Sequence, residues 1–241
     1  MIRAGRGKAL RMTWFRPFLP RCAFAVAFIA GSLVVSTVAI LVLRGRHGVL
    51  TAKRFSAVAL TLSCYEDRHG SLPPAFARGR DGRPCHSWRV MILPELGRKD
   101  LYDRYDFNEP WNGPHNRMLV SEIPVEYQSD AGPAGYTDVV AVVGEGTVWP
   151  GATPPDLTHF NYSTHVLIVQ VNEPRNWMEP SDLSYESVMA AVEKAGGLDL
   201  VLGRGRYCVL ANCVFERLPP DTTKEEVRRL LKVSEQNLKD R

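Results

Sequence analysis

The sequence predicts an α+β fold in which one long N-terminal helix, apolar at first and then amphipathic, leads into a loop-rich body. Three observations predict it. Residues 22–43 contain no charged side chain. Apolar residues then recur at three- and four-residue steps as far as Tyr65, which is the period of a helix with one buried face. Beyond that point, short segments rich in Val, Ile, Leu and Tyr are bounded by Gly, Pro or Asn, as strands are.

The uncharged run from Cys22 to Leu43 is 22 residues long, enough for a helix to cross about 30 Å of bilayer hydrocarbon. A cleaved signal peptide has a shorter apolar core, of about 7–15 residues, followed by a small-residue cleavage site. Here the run ends in Leu43-Arg44-Gly45-Arg46. A lipoprotein would carry its acylated cysteine after the run, whereas Cys22 precedes it. A buried soluble helix is the remaining alternative, and the flanking arginines disfavour it. We predict a transmembrane helix over 22–43.

The flanking charges predict the orientation of this helix. The 21 residues before it carry six Lys and Arg and no acid, and the 21 residues after it carry four. Positive charge accumulates on the cytoplasmic side of a span. The chain is therefore divided into a basic cytoplasmic tail (1–21), a transmembrane helix (22–43), an amphipathic continuation of the helix (44–72) and an exported α+β body (73–241).

The net charge of +4 is unevenly distributed along the chain. Residues 1–65 hold ten Lys and Arg with no acid, whereas residues 66–241 hold 20 basic and 26 acidic side chains. The basic excess lies beside the predicted span, where anionic lipid headgroups attract it. An acidic body disfavours a nucleic-acid partner. The predicted partners are the membrane, like subunits and envelope proteins.

The later elements follow from local patterns. The amphipathic helix is expected to end at Gly70, before Pro73 and Pro74. Residues 75–84 are predicted to be a loop, 87–96 a short helix or strand, and 101–105 a helix. Strands are predicted over 136–143, 166–171 and 207–215, and helices over 185–194 and 222–238.

Cysteine usage is consistent with export. Cys22 lies at the predicted cytoplasmic edge, which leaves an even number, four, on the exported side. Of the three connectivities the local one is the simplest, and it gives the candidate disulfides Cys64–Cys85 and Cys208–Cys213. Four independent, partly buried thiols are the open alternative. The cysteines lack the paired short spacings of a zinc site, so we predict no metal and no cofactor.

Tryptophans and acids are the candidate functional residues of the body. An aromatic groove with a polar rim can bind carbohydrate or peptide. The candidate ligand-binding residues are therefore Trp88, Trp111, Trp149 and Trp177. Their ordinary role is packing, in which one Trp buries about 150–250 Å². Glu173, Glu179 and Asp182 lie close to Trp177 in the sequence, and an acid pair beside an aromatic residue is typical of a glycosidase site. No catalytic motif accompanies them, and Asp182 is expected to cap a helix. We predict no catalytic residue.

Five stretches carry a resemblance. They are RFSAVALTLSCYEDRHGSLPPAF (54–76), SWRVMILPELGRKDLYDRYDFNEPWNGPHN (87–116), VVGEGTVWPG (142–151), NWMEPSDL (176–183) and VLANCVFERLPPDTTKEEVRRLL (209–231). In this order they resemble a pilin- and pseudopilin-like family of unknown function that is expanded in planctomycete bacteria. Near the end that family has Ala-Asp-Gly-Ser where this chain has Ala211-Asn212-Cys213-Val214.

The resemblance implies a pilin-like fold, with the long helix packed on a small antiparallel β-sheet domain at the outer face of the bacterial inner membrane. Many members are cut before an aromatic residue and carry glutamate at the fifth mature position. Counted from Phe24, that position is Phe28 here, so ordinary pilus assembly is not expected. We predict a non-enzymatic, membrane-anchored envelope protein with a structural or interaction role. The alternative is a binding module for an envelope glycan or peptide that uses the tryptophan-bearing loops.

Overall fold

The computed structural model describes residues 48–155, 164–194, 196–203 and 205–232. Within these ranges the predicted α+β fold with an antiparallel sheet is confirmed. None of the described helices combines the length and the apolar character that crossing a membrane requires. The predicted tail (1–21) and span (22–43) lie outside the described residues.

Helix α1 covers residues 48–69 of the described chain, where the amphipathic pattern predicts it. Its buried face carries Phe55, Val58, Ala59 and Leu62. Gly70 ends the helix with a φ of 79°, a left-handed conformation that glycine adopts at little cost. The sequence therefore predicted both the buried face and the end of this helix correctly.

Residues 75–84, predicted to be a loop, contain most of a β-hairpin. Strand β1 (Phe76–Arg78) pairs antiparallel with β2 (Pro84–Ser87). The carboxylate of Asp81 accepts a hydrogen bond from the backbone N–H of Arg83 at 3.0 Å within the turn. The loop prediction was wrong because the two strands are only three and four residues long. Turn-forming residues fill the segment between them and dominate the sequence pattern.

Strand β2 leads directly into helix α2 (Trp88–Met91), and α3 (Lys99–Arg104) follows. Ser87 caps α2, because its hydroxyl accepts a hydrogen bond from the backbone N–H of Arg89. The ambiguity over 87–96 is thus resolved as a short helix. A 3-10 helix covers Asn116–Glu122.

The central sheet has four antiparallel strands in the order β3–β5–β7–β8. They are β3 (Tyr136–Val140), β5 (Val166–Asn176), β7 (Tyr207–Leu210) and β8 (Phe215–Arg217). Strand β4 (Val142–Val143) leaves this sheet and pairs in parallel with β6 (Leu183–Ser184). The strands predicted over 136–143 and 166–171 are confirmed. The segment 207–215 forms a hairpin, whose turn places Cys213 at a φ of 65°.

Three helices complete the described chain: α4 (Tyr185–Val192), α5 (Asp199–Leu202) and α6 (Lys224–Leu231). Because strand side chains alternate between faces, the sheet buries one hydrophobic cluster on each side. Val139 and Val209 join the first cluster with the buried face of α1. Val140 and Cys208 join the second cluster with residues of α4, α5 and α6.

Helix α6 begins with a capping box that joins Thr223 and Glu226. The Thr223 hydroxyl accepts from the backbone N–H of Glu226, and the Glu226 carboxylate accepts from that of Thr223 at 2.7 Å. We expect Thr223→Ala to lower the free energy of unfolding by about 0.5–2 kcal/mol, since it leaves a helix N–H without its acceptor. Urea unfolding of the full-length protein measures this. Thr223→Ser keeps the hydroxyl and should retain most of the stability; equal losses in both variants would contradict the capping role.

Candidate functional site

A buried polar network joins three elements around the carboxylate of Asp182, whose side chain is 2% exposed. Its Oδ1 atom accepts from Arg89 Nη2 at 2.6 Å and from the indole Nε1 of Trp88 at 3.2 Å. The same oxygen accepts from the backbone N–H of Ala141 at 2.9 Å. Asp182 therefore ties α2 and the link between β3 and β4 to the segment that precedes β6.

Arg89 is the cationic half of this network and is fully buried. Its Nε donates to the carbonyl of Val139 at 2.8 Å, and its Nη1 donates to the hydroxyl of Ser87 at 2.8 Å. The guanidinium carbon lies 4.7 Å from the centroid of the Trp88 ring. A buried charge is tolerated only when it is paired and hydrogen-bonded, and Arg89 meets this condition through three separate acceptors.

Arg175 is a second cation near this carboxylate. Its Nη1 donates to the carbonyl of Ser181 at 3.2 Å, while its Nε and the Oδ2 atom of Asp182 are buried without a hydrogen-bond partner. Burial and the neighbouring Arg89 charge lower the pKa of Arg175, against the opposing effect of nearby carboxylates. The network therefore stabilises charged side chains inside the fold, and the carboxylate of Asp182 lies at its centre.

The sequence suggests Asp182 as a helix cap, and this interpretation was wrong. Ser184 is the N-cap of α4, because its hydroxyl accepts from the backbone N–H of Ser187 at 3.1 Å. Asp182 lies two residues earlier and points into the core. The arginine that binds it is 93 positions away in the sequence, so no local pattern identifies the pair.

Three of the four candidate ligand-binding tryptophans, Trp88, Trp149 and Trp177, are fully buried. The indole N–H of Trp149 donates to the carbonyl of Leu167 at 2.7 Å, and that of Trp177 donates to the carbonyl of Val120 at 3.1 Å. An indole without an exposed face cannot stack on a sugar or a peptide. Only Trp111 is partly exposed, so the structure does not bring the four together as a surface groove.

The four cysteines of the described chain, Cys64, Cys85, Cys208 and Cys213, are free thiols. Neither candidate disulfide, Cys64–Cys85 or Cys208–Cys213, is present. Cys208 belongs to the second hydrophobic cluster, whereas Cys213 packs against the first, on the other side of the sheet. Burial, with a smaller contribution from the charge of Glu216, raises the pKa of the Cys208 thiol to about 12.

The outer face of α1 exposes apolar side chains. Val49, Leu50 and Leu60 are 57%, 54% and 61% exposed. Val49 and Leu60 are eleven residues apart, about three helical turns, and therefore lie on the same face. Cys64 follows Leu60 by about one turn and is also exposed. We call Val49, Leu60 and Cys64 the outer stripe of α1.

Arg54 fixes which way α1 faces. Its side chain turns inward, and its Nη2 lies 2.6 Å from the Asp138 carboxylate on β3. The other carboxylate oxygen of Asp138 accepts from Gln170 Nε2 on β5 at 2.7 Å. This chain of contacts holds one side of α1 to the sheet and leaves the outer stripe at the surface.

Comparison with known proteins adds one finding. Residues 52–145 match a family model described as "Protein of unknown function (DUF1559)". The match covers less than half of the chain's 241 residues. No curated protein and no solved structure matches the chain.

The similarity to DUF1559 confirms the coarser part of the predicted resemblance, a family of unknown function. The matched stretch contains most of α1, the β1–β2 hairpin, α2, α3 and β3. It includes Arg54 with its partner Asp138, and Arg89 with its neighbour Trp88. It ends before Asp182, so the buried ion pair joins the DUF1559-like part to the segment that follows it.

Proposed function

We propose that this chain is a non-enzymatic, membrane-anchored protein of pilin-like organisation, and that its exported body packs against further copies in the envelope of a bacterium of the planctomycete type. The anchor is the uncharged run over residues 22–43, and the N-terminus is cytoplasmic. The observation that carries the proposal is the outer stripe of α1. Its leucine and valine are exposed, while the opposite face of the helix is bound to the sheet.

Burial of this stripe would supply the driving force for association. Transfer of a Leu or Val side chain from water to an apolar contact is worth about 1.5–3 kcal/mol. Scattered apolar residues are ordinary at a protein surface. Here, however, Val49 and Leu60 are two of the eight large exposed hydrophobic side chains of the described residues, and both lie on the same face of one helix.

Membrane anchoring favours a second copy as the partner. Chains that share one bilayer meet at a much higher effective concentration than free proteins do, so a weak contact suffices. The proposed span precedes α1 in the sequence, so neighbouring copies would be anchored in the same membrane. The lack of glutamate at Phe28 supports association between neighbours in the membrane over ordinary pilus assembly.

Self-association of the full-length protein in detergent micelles or nanodiscs tests this function. Leu60→Glu introduces a charge into the proposed contact, and we expect it to weaken association about tenfold or more, or 1.4 kcal/mol. Leu200→Glu is the matched control, because Leu200 is 48% exposed on α5 and lies outside the stripe. Sedimentation equilibrium measures both. A monomeric wild type, or equal effects of the two substitutions, would overturn the proposal.

A further inference from the structure

The tip of the β1–β2 hairpin, residues 78–83, is a basic surface. It carries three arginines, Arg78, Arg80 and Arg83, and one acid, Asp81. All four residues are exposed, and the Arg83 side chain is 86% exposed. The tip therefore has a local net charge of +2, although the sequence from residue 66 onward holds more acids than bases.

The single acid of the tip compensates little of this charge. Asp81 Oδ1 accepts from the backbone N–H of Arg83 at 3.0 Å. Its Oδ2 lies 3.9 Å from Arg83 Nε, which is too far for a hydrogen bond, and an exposed pair of this kind contributes little. Within the described ranges, the side chain of Arg80 forms no hydrogen bond or ion pair. Positive charge at the tip is therefore available to a partner.

The backbone of the tip forms a closed turn. The N–H of Gly79 donates to the Arg83 carbonyl at 2.9 Å, and the N–H of Gly82 donates to the Gly79 carbonyl at 2.9 Å. Arg78 Nη1 donates across the turn to the Gly82 carbonyl at 2.6 Å, and its guanidinium carbon lies 5.5 Å from the centroid of the Phe76 ring. Because the turn is already formed, less conformational entropy is lost when it binds a partner.

Several other exposed cations of the described chain have acids beside them. Lys99 pairs with Asp103 at 2.5 Å on α3, and Arg104 pairs with Glu122 at 2.6 Å. Such pairs leave little net charge for a partner. The hairpin tip lacks this compensation, so it attracts anions while the body as a whole, which is acidic, repels them.

The exposure of the three arginines indicates which kind of anion the tip binds. A guanidinium is suited to phosphate, because it can donate two parallel hydrogen bonds to the phosphate oxygens. Small ligands are usually held in concave sites that enclose them, whereas the arginines of the tip are all exposed. A bilayer surface presents many phosphates side by side and attracts exposed basic residues without an enclosing pocket.

We propose that the tip of the β1–β2 hairpin is a binding surface for the phosphate groups of anionic phospholipids. The proposal rests on the membrane anchor of the proposed function, which keeps the body near a bilayer. It does not depend on the outer stripe of α1 or on self-association. Binding at the tip holds the body at a surface of anionic headgroups that its net negative charge would otherwise avoid.

Modification of arginine by phenylglyoxal, followed by mass spectrometry, tests this surface. Full-length protein is placed in nanodiscs at a single copy per disc, which removes any effect of self-association. Each net positive charge near an anionic bilayer gives about a fivefold preference, so the tip should show about thirtyfold. We expect Arg80 and Arg83 to react more slowly by this factor in phosphatidylglycerol discs than in phosphatidylcholine discs. Arg117, which is exposed on the 3-10 helix, should react equally in both.

Two variants with opposite expected effects separate charge from structure. Arg80→Gln removes one positive charge, so the protection of Arg83 by phosphatidylglycerol should fall about fivefold. Asp81→Asn removes the negative charge and keeps an oxygen that can accept from the Arg83 N–H, so the same protection should rise about fivefold. Equal reaction rates in the two kinds of disc, or protection that neither variant changes, would overturn the proposal.

Further arms of the experiment distinguish the lipid from other anions and from the anchor. Protection by inorganic phosphate or polygalacturonate in phosphatidylcholine discs, with none from phosphatidylglycerol, would assign the tip to a soluble anion and overturn the proposal. Co-migration of the protein with phosphatidylcholine discs tests the anchor alone. Protein that co-migrates only with phosphatidylglycerol discs, and loses this in Arg80→Gln, would support the lipid surface and contradict the anchor. Protein that co-migrates with neither would contradict both.

Discussion

Asp182→Asn is expected to lower the free energy of unfolding by about 3–5 kcal/mol, because it leaves the buried guanidinium of Arg89 without its counter-ion. Arg89 is fully buried, and its Nη2 lies 2.6 Å from Asp182 Oδ1. The asparagine keeps an oxygen that can accept from Trp88 and Ala141, so the substitution mainly removes the charge. Urea unfolding followed by tryptophan fluorescence measures the loss, which is a large fraction of the 5–15 kcal/mol typical of a folded domain.

An exposed ion pair provides the matched control. Asp100 accepts from Arg98 at 3.0 Å, and its side chain is 62% exposed. Asp100→Asn should therefore cost no more than about 1 kcal/mol. The double variant Arg89→Met with Asp182→Leu should cost less than the two single variants together. Each single variant leaves one charge of the pair without its partner in the core, whereas the double variant removes both charges. A loss below about 1 kcal/mol in Asp182→Asn would show that Arg89 finds other compensation.

The elements whose apolar residues recur with a regular local pattern were predictable from the sequence. The buried face of α1 repeats at helical spacing from Phe55 to Leu62, and the strand over 166–171 is a run of branched side chains, so both follow from the sequence. The hairpin of β1 and β2 was missed because its strands are too short to show alternation. Its tip residues indicate a turn and give no sign of the pairing on either side.

The candidate site was less predictable, because its contacts join distant positions. In the sequence, Arg54 resembles an outer residue of an amphipathic helix. In the structure it contacts Asp138, which lies 84 positions later in the chain. Trp111 and Trp149 lie beside prolines and Trp177 lies beside an asparagine, which suggested exposed loops. In the structure Trp88, Trp149 and Trp177 are buried, and each indole N–H donates to an acceptor on a different segment.

Cys213 carries a Cβ atom in a backbone conformation that favours glycine. It occupies the left-handed region with a φ of 65°. A side chain with a Cβ atom adopts this conformation at a cost of about 1–2 kcal/mol. The backbone turn is kept: the N–H of Cys213 donates to the Leu210 carbonyl at 2.9 Å, and that of Val214 donates to Asn212 Oδ1 at 3.1 Å.

Trp149→Ala is expected to lower the free energy of unfolding by about 3–5 kcal/mol, the usual cost of removing a fully buried aromatic side chain. The Trp149 ring lies 5.3 Å from that of Trp88 in the first cluster. Its Nε1 donates to the Leu167 carbonyl on β5 at 2.7 Å. Loss of the ring leaves a cavity in the first cluster, and loss of the N–H removes its hydrogen bond to the Leu167 carbonyl.

Two further variants separate these effects. Trp149→Phe keeps most of the apolar ring and removes the N–H, so it should cost about 1–3 kcal/mol for the hydrogen bond that the buried Leu167 carbonyl loses. Trp111→Phe, at the partly exposed tryptophan, should cost less than either. Urea unfolding ranks the three. If Trp149→Ala cost no more than Trp111→Phe, Trp149 would not be a core residue, and the surface groove expected from the sequence would have to be reconsidered. The expected ranking places Trp149 in the packing between α1 and the sheet.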